Sequence, residues 1–318
     1  MNQNSKQIVA VVVLYKRAPE QSQTINSLAA VFANDPKLLD SIRVIIWDNS
    51  PKAIPQPQLP FPFQFSHEGR NVGTSGAYNY ALESADAEGS PWLLLLDQDT
   101  TIAGEFLPRM LEYSHLLQGQ QEIGAVVPFI YSHGSLVSPR TLGRFNHVGR
   151  IARTSSGVYR QRAFAVNSGS LMRVSALREI GGYSDDFWLD LSDVYVFQEM
   201  YRKDRYLFIA GDLTLQHSIT SMDFDKDMAP DRYRNFLAAE SAFVDLYSSA
   251  PERAAHLLRL LLRTARQLRQ HSNKEFSRMT FEYFYRRLFD SRTKRIQSWR
   301  EQLVRRDITV VENGQIVG

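Results

Sequence analysis

The chain has 318 residues, 43% of them hydrophobic and 22% charged, with a formal net charge of +3; it is long enough for one large domain with an appendage, or two modest domains. Cysteine is absent, which excludes a disulfide scaffold, a thiolate metal site and a cysteine nucleophile, and is compatible with a reducing cytosol. The first seven residues are polar and the longest apolar runs, 8–15 and 92–96, fall short of the roughly 18 residues a membrane span requires, so a soluble or peripheral protein is expected.

Residues 8–15 (IVAVVVLY) form a β-branched run without a polar break, the pattern of a parallel strand buried on both faces. Over 21–33, Ile25, Leu28, Ala29 and Phe32 recur at helical spacing. A second buried strand at 43–47 (RVIIW) ends in Asp48-Asn49-Ser50-Pro51, which is turn chemistry. A loop with five prolines and a short extended stretch at 63–66 follow; then 74–85 reads as a helix and 92–96 (WLLLL) as a strand stopping at Asp97. Such repetition predicts βαβ units and an open, mostly parallel α/β sheet. Ligands of these sheets bind at the carboxyl ends of the strands, where Asp48 and Asp97 both lie. The middle reads as a strand at 124–128, a Gly/Ser/Arg-rich segment at 132–159, a strand near 163–167, a helix at 175–180 and an acidic-aromatic stretch at 185–193 leading into another helix. After Pro230 strand signals almost vanish, and 232–247, 251–270 and 274–303 read as helices, with Pro251 suited to a first turn.

Asp97-Gln98-Asp99 offers two carboxylates at a strand end, hard oxygen ligands for Mg²⁺ or Mn²⁺. A D-x-D triplet alone is also common in solvated turns; delivery by a long apolar strand to the ligand-binding edge is what singles this one out. Asp48 can accept hydrogen bonds from a nucleobase or ribose, or simply cap its own turn. Gly69-Arg70-Asn71-Val72-Gly73 leads into a helix, where small residues admit a ligand and a helix N-terminus attracts phosphate, although the G-x-G-x-x-G fingerprint is not present.

Asp48, Arg70-Asn71-x-Gly73, Asn79 and Asp97-Gln98-Asp99 stand in the order and spacing of family 2 glycosyltransferases, which the chain resembles over about residues 6–220. The similarity continues through Asn167-Ser168-Gly169-Ser170-Leu171-Met172-Arg173, through the acceptor and general-base segment 180–193, and to His217, where many members place a metal-binding histidine. Phe187-x-x-Asp190-x-x-Asp193 is similar to the rhamnosyltransferase-like branch, which includes galactofuranosyltransferase relatives. The departures are Lys16 where Asn is common, Tyr195 where a second acid often follows, Glu199 at a usual Arg position, and Asp204-Arg205 in place of a usual Gly.

The resemblance implies a GT-A fold, with a catalytic domain at 1–225 divided into a nucleotide-sugar half (1–100) and an acceptor half (101–225), ahead of a basic helical region at 226–318. It implies an inverting transfer from a dTDP- or UDP-sugar, L-rhamnose from dTDP-rhamnose being the expected donor and galactofuranose or another hexose the alternative. The acceptor would be a hydroxyl of a glycan or polyprenyl-linked glycan in bacterial surface polysaccharide synthesis. Asp193 is the expected general base, with Asp190 the alternative. Tyr15, Arg17, Asp48, Asn71, Gly73 and Asp97 would hold the nucleotide, Gly169, Trp188 and Asp190 the sugar or acceptor, and Asp99, His217 and Asp97 the metal. The expected location is the cytoplasm, or the inner face of the cytoplasmic membrane.

Two rivals follow from the same residues. Asp97-Gln98-Asp99-Thr100-Thr101 matches the D-x-D-x-T pattern of haloacid-dehalogenase-type phosphohydrolases, in which the first Asp is a nucleophile. A degenerate transferase would only bind nucleotide sugars as a scaffold. The tail adds a separate expectation. From Asp231 onward there are 17 Lys and Arg against 10 Asp and Glu, a net of +7. Leu257, Leu258, Leu261, Leu262, Ala265 and Leu268 line one helical face opposite Arg259, Arg263, Arg266 and Gln270. Such a helix suits anionic lipid, the catalytic domain, or a second subunit of a homo-oligomer. No aromatic-basic surface motif supports nucleic-acid binding.

Overall fold

The computed structural model describes residues 6–217 and 228–313. Thirteen strands and ten α-helices lie among them. In chain order they begin with β1 (Ile8–Leu14), α1 (Gln23–Asn34), α2 (Leu38–Ser41), β2 (Ile42–Asp48), β3 (Phe63–His67), α3 (Gly73–Glu88), β4 (Trp92–Asp97), β5 (Thr100–Thr101) and α4 (Phe106–Leu116). There follow β6 (Ile123–Ser132), β7 (Ser135–Ser138), β8 (Arg140–Leu142), β9 (Val148–Arg150), β10 (Gly157–Tyr159), β11 (Ala163–Phe164) and β12 (Leu171–Arg173). Then come α5 (Val174–Glu179), α6 (Ser192–Arg202), β13 (Tyr206–His217), α7 (Pro230–Tyr247), α8 (Ala250–Gln270), α9 (Glu275–Phe289) and α10 (Arg292–Asn313).

The central sheet has ten strands, ordered β10-β13-β6-β12-β4-β1-β2-β3 along its main path, with β5 added to β13 and β7 to β6. The pairs β1–β2, β1–β4, β2–β3 and β6–β13 are parallel. β12 runs antiparallel between β4 and β6. A small antiparallel sheet joins β11, β8 and β9. The unbroken apolar run of β1 is explained by burial on both faces. Ile8, Ala10, Val12 and Leu14 pack with Leu28 and Phe32 of α1 and Leu107 and Met110 of α4; Val9, Val11 and Val13 pack with Tyr78 and Ala81 of α3 and Phe197 of α6. Helices on both sides of a mostly parallel sheet are the layering that strand–helix repetition predicts.

The chain resolves into two compact units. Among the described residues, one comprises 6–142, 148–217 and 310–313, the other 143–147 and 228–309. Within the second, α7, α8 and α9 enclose a core of Tyr233, Leu237, Leu260, Phe276 and Met279. The single helix expected over 274–303 is two, α9 and α10, because Asp290 turns to an extended backbone (ψ 141°) and the Ser291 hydroxyl caps the backbone amide of Lys294 at 3.2 Å. The strand expected near 163–167 shrinks to Ala163–Phe164, and β13 extends as far as His217.

Candidate active site

β4 delivers Asp97 to the carboxyl edge of the sheet, and the turn after it carries Asp99. The backbone of this turn is gripped from α1. Ser22 Oγ donates to the Gln98 carbonyl (2.8 Å), and Thr24 Oγ1 donates to the carbonyls of Asp97 and Thr100 (3.0 Å to Thr100) while accepting from the Thr100 amide (3.0 Å). His217 reaches the same place from the far end of the chain, because β13 pairs with β5 in the register His217↔Thr100. Asp97, Asp99 and His217 then offer ligand atoms that all lie within 4.8 Å of one another. His217 Nε2 is 3.7 Å from Asp97 Oδ2 and Nδ1 is 3.5 Å from Asp99 Oδ1. Two carboxylates and an imidazole so converged fit a divalent cation of the Mg²⁺ or Mn²⁺ kind. Thr100 Oγ1 hydrogen-bonds His217 Nδ1 (2.9 Å) and Ser168 Oγ (2.7 Å), and Ser168 Oγ in turn accepts from the Asp97 amide (2.9 Å). This buried outer layer fixes how the ligands point.

Asp193 occupies the first turn of α6, after Leu191 in a left-handed conformation. Its carboxyl is pushed up to about 6 by burial, with the charges of Asp190 and Asp97 adding to the effect and the hydrogen bond from the Val194 amide (2.8 Å) opposing it. Burial also raises Asp97, and Asp99 adds to that, while His217 and the Tyr78 hydroxyl oppose it. Tyr78 and Tyr183 are fully or nearly buried, with ring centroids 5.2 Å apart. Burial first, then Asp97 for Tyr78 and Asp193 for Tyr183, raise both phenols, so both remain donors. Tyr78 Oη donates to Asp97 Oδ1 (3.0 Å) and Tyr183 Oη to Asn167 Oδ1 (3.0 Å). Asn167 Nδ2 donates to Ser192 Oγ (3.1 Å), next to Asp193.

Four of the expected site residues make contacts of their own within the protein. Asp48 stands at the end of β2, but its side chain is fully buried: its oxygens accept from the Ser50 amide (2.9 Å) and the Ile54 amide (2.8 Å), and His67 Nδ1 lies 3.2 Å away. It organises the start of the proline-rich loop. Gly73 cannot offer its amide to phosphate, since that amide donates to Asn71 Oδ1 (2.9 Å). Nor is the start of α3 open, because the Ser75 amide donates to the Trp188 carbonyl (3.1 Å). What Gly73 provides is room: φ is +73°, and a Cβ there would lie 2.0 Å from the Trp188 carbonyl oxygen. Asn71 thereby closes an Asx-turn just ahead of α3. Gly169, expected at the sugar, is buried at φ +84° with Leu215 where a Cβ would go, so it lets β13 approach. Trp188, half-buried, lies against Gly73 and ties the loop before α3 to the segment before α6.

Tyr15 and Arg17 keep accessible side chains beyond β1, and the Tyr15 amide donates to Gln98 Oε1 (2.9 Å), setting them beside the Asp97–Asp99 turn. Lys16 between them has φ +50°, which explains why Asn, a residue tolerant of that conformation, suits this position. Asp204 at φ +55° occupies the position of the usual Gly for the same reason. Sequence reasoning missed Tyr78, Asn49, Thr100, Ser168 and Tyr183. Asn49 was the most accessible of them: it follows a strand end, and it accepts from the Val72 amide (3.0 Å) while donating to the Gly73 carbonyl (2.8 Å).

The family pattern Glycosyl transferase family 2 matches residues 9–181. No curated protein matches the chain. Among solved structures, the TarS 1–349 fragment of S. aureus superposes with a TM-score of 0.51 at 15% identity, covering 98% of this chain and 93% of that one. The same fragment in complex with UDP-GlcNAc gives 0.51 at 16%, covering 97% and 89%. GalNAc-T7, solved with UDP, GalNAc and Mn²⁺, gives 0.56 at 12%, covering 93% of this chain and 59% of that one. Likeness at these identities concerns the fold, the GT-A architecture expected from the sequence. The phosphohydrolase alternative loses its basis, since its nucleophile belongs on a first strand and Asp97 ends the fourth. With the family pattern spanning more than half of its length, this chain belongs to glycosyl transferase family 2, the nucleotide-sugar glycosyltransferases.

Proposed function

We propose that the chain transfers a hexose from a nucleoside diphosphate sugar to a glycan hydroxyl, free or polyprenyl-linked, with inversion at the anomeric carbon. The observation that carries this reading is a metal-type triad, Asp97, Asp99 and His217, connected through Tyr78, Tyr183 and Asn167 to Ser192, next to Asp193, whose carboxyl is raised to about 6. A divalent cation held by the triad supplies charge neutralisation for the departing diphosphate. Tyr15 and Arg17 flank the nucleotide. Asp193 accepts the proton of the acceptor hydroxyl as its oxygen attacks the anomeric carbon and the diphosphate leaves from the opposite face, a single displacement that inverts configuration. Asp190 sets the charge around that base and binds a sugar hydroxyl, and Trp188 borders the acceptor. Rhamnose with dTDP is the proposed donor on the strength of Phe187-x-x-Asp190-x-x-Asp193. A UDP-hexose is the second donor reading, favoured by the UDP-sugar bound in the TarS fragment.

The test is nucleoside diphosphate release from dTDP- and UDP-sugars, with Mg²⁺ or Mn²⁺, with and without acceptor glycans. Metal-dependent release lost in Asp99→Ala and Asp193→Asn supports transfer. Donor binding without turnover under every condition would leave a scaffold and overturn the proposal.

A further inference from the structure

The leucine face of α8 is not the face the helix buries. α8 turns His256, Leu260, Thr264 and Gln267 inward. Their polar groups are used there: Gln267 Nε2 donates to Tyr233 Oη (2.9 Å), Gln267 Oε1 accepts from Thr280 Oγ1 (2.6 Å), and Thr264 Oγ1 donates to the Leu260 carbonyl (2.9 Å). At about 100° per residue, the leucine stripe lies roughly a third of a turn away. Leu258, Leu261, Leu262 and Leu268 are 57%, 42%, 60% and 50% exposed, and nothing among the described residues covers them. α9 repeats the pattern with Phe281, Tyr285, Leu288 and Phe289, 48–68% exposed. Apolar exposure gathered in stripes, instead of scattered singly, marks an interaction surface.

The charge around the stripe selects the partner. From Arg253 to Gln270 the helix carries five arginines and no Asp or Glu. Arg263 is neutralised by two 2.7 Å bonds to Glu240, but Arg266 and Arg269 remain exposed on the flank of the leucines. A two-fold contact with a second copy would set this arginine-bearing face against itself with no carboxylate from that stretch to answer it. A phosphate-bearing apolar surface answers both features at once. We propose that α8, with the exposed aromatics of α9, docks the chain on an anionic lipid surface, the leucines sinking to the acyl boundary and the arginines meeting headgroup phosphates. No helix among the described residues is long and apolar enough to cross a membrane, so this is attachment in the interfacial plane. It stands apart from the transfer reading, because binding is measured without donor or acceptor.

The full chain is sedimented with phosphatidylcholine vesicles with and without about half phosphatidylglycerol, at low and high salt. The expected result is binding at least about tenfold tighter to the anionic vesicles and weakened by salt. Arg266→Gln with Arg269→Gln weakens it by roughly fivefold per charge, and Leu258→Gln with Leu262→Gln abolishes it while the melting temperature stays that of the parent. The lipid comparison on the unaltered chain decides even if a variant misfolds. Equal binding to both vesicles, or binding to neither, overturns the proposal. So does a dimer in sedimentation velocity that Leu258→Gln with Leu262→Gln dissociates, which would assign the face to a second copy.

Discussion

As the proposed general base, Asp193 has to be charged to accept a proton, yet its surroundings favour the neutral form. Burial raises it to about 6, and the neighbouring charges of Asp190 and Asp97 push the same way. A raised carboxyl is protonated below its pKa, so transfer should fall about tenfold per pH unit below pH about 6 and level off above it. Asp190→Asn removes one of the charges that raise it and should move that acid limb to lower pH; Asp193→Asn should cost about 10²–10⁴-fold in kcat with donor binding retained. The pH profile of initial rates checks both, and a limb indifferent to Asp190 would exclude Asp193 as its origin. Tyr78 acts one layer further out. Its hydroxyl holds Asp97 Oδ1 at 3.0 Å from a buried position in α3. Tyr78→Phe keeps the ring and removes that anchor, so Mn²⁺ affinity by calorimetric titration should drop about 10–100-fold, as outer-layer losses do. The convergence of Asp97, Asp99 and His217 was legible because their chemistry sits in short motifs. The internal contacts of Asp48 and Gly169 were not legible, because a motif gives position, whereas the direction a side chain faces depends on what the fold packs against it.

Elements built from unbroken apolar runs were legible to within a residue or two: β1, β2 and β4 carry a signal that no loop can hide. α4 (FLPRMLEYSHL) was missed, since Pro108 within its first turn reads as a breaker when it is tolerated there. The second half of β13 was missed for another reason. Leu213, Leu215 and His217 are buried while Asp212, Thr214 and Gln216 are exposed, a one-sided strand whose polar half looks like a loop. The register irregularity between Ala210 and Thr214 separates it from the buried half, and this half carries His217. Gly73 shows how tightly two segments far apart in sequence are joined. Gly73→Ala forces a side chain into the left-handed region and against the Trp188 carbonyl, a cost of about 2 kcal/mol or more from the two effects together. Gly104, with nothing within 4 Å of its added Cβ, is the control: Gly104→Ala should leave the urea midpoint within about 0.5 kcal/mol of the parent. Equal stability of the two variants would mean the approach of Trp188 is not needed.

The two compact units have separate cores, and the helical one is specified by ion pairs that no periodicity announces. Asp245 on α7 is fully buried and accepts from Arg287 on α9 (2.9 Å) and from Arg295 on α10 at both of its oxygens (2.8 and 2.9 Å). Its backbone carbonyl accepts from Arg292 (2.7 Å). One carboxylate thus gathers three helices. Burial lowers the Arg287 guanidinium to about 10, with Asp245 opposing the shift, so the arginine stays charged at neutral pH and depends on its partner. Sequence alone showed a basic tail and helical spacing, from which the destination of these arginines could not be read, because a guanidinium on a solvated face and one on a buried carboxylate have the same spacing. Asp245→Ala would strand Arg287, whose side chain is only 3% exposed, and removing one partner of a buried pair costs about 3–5 kcal/mol. If each unit folds on its own core, the loss should be local: amides of α7, α9 and α10 should exchange faster with deuterium while those of β1, β2 and β4 keep their protection. Protection lost equally in the central strands would show instead that the two units unfold as one cooperative body.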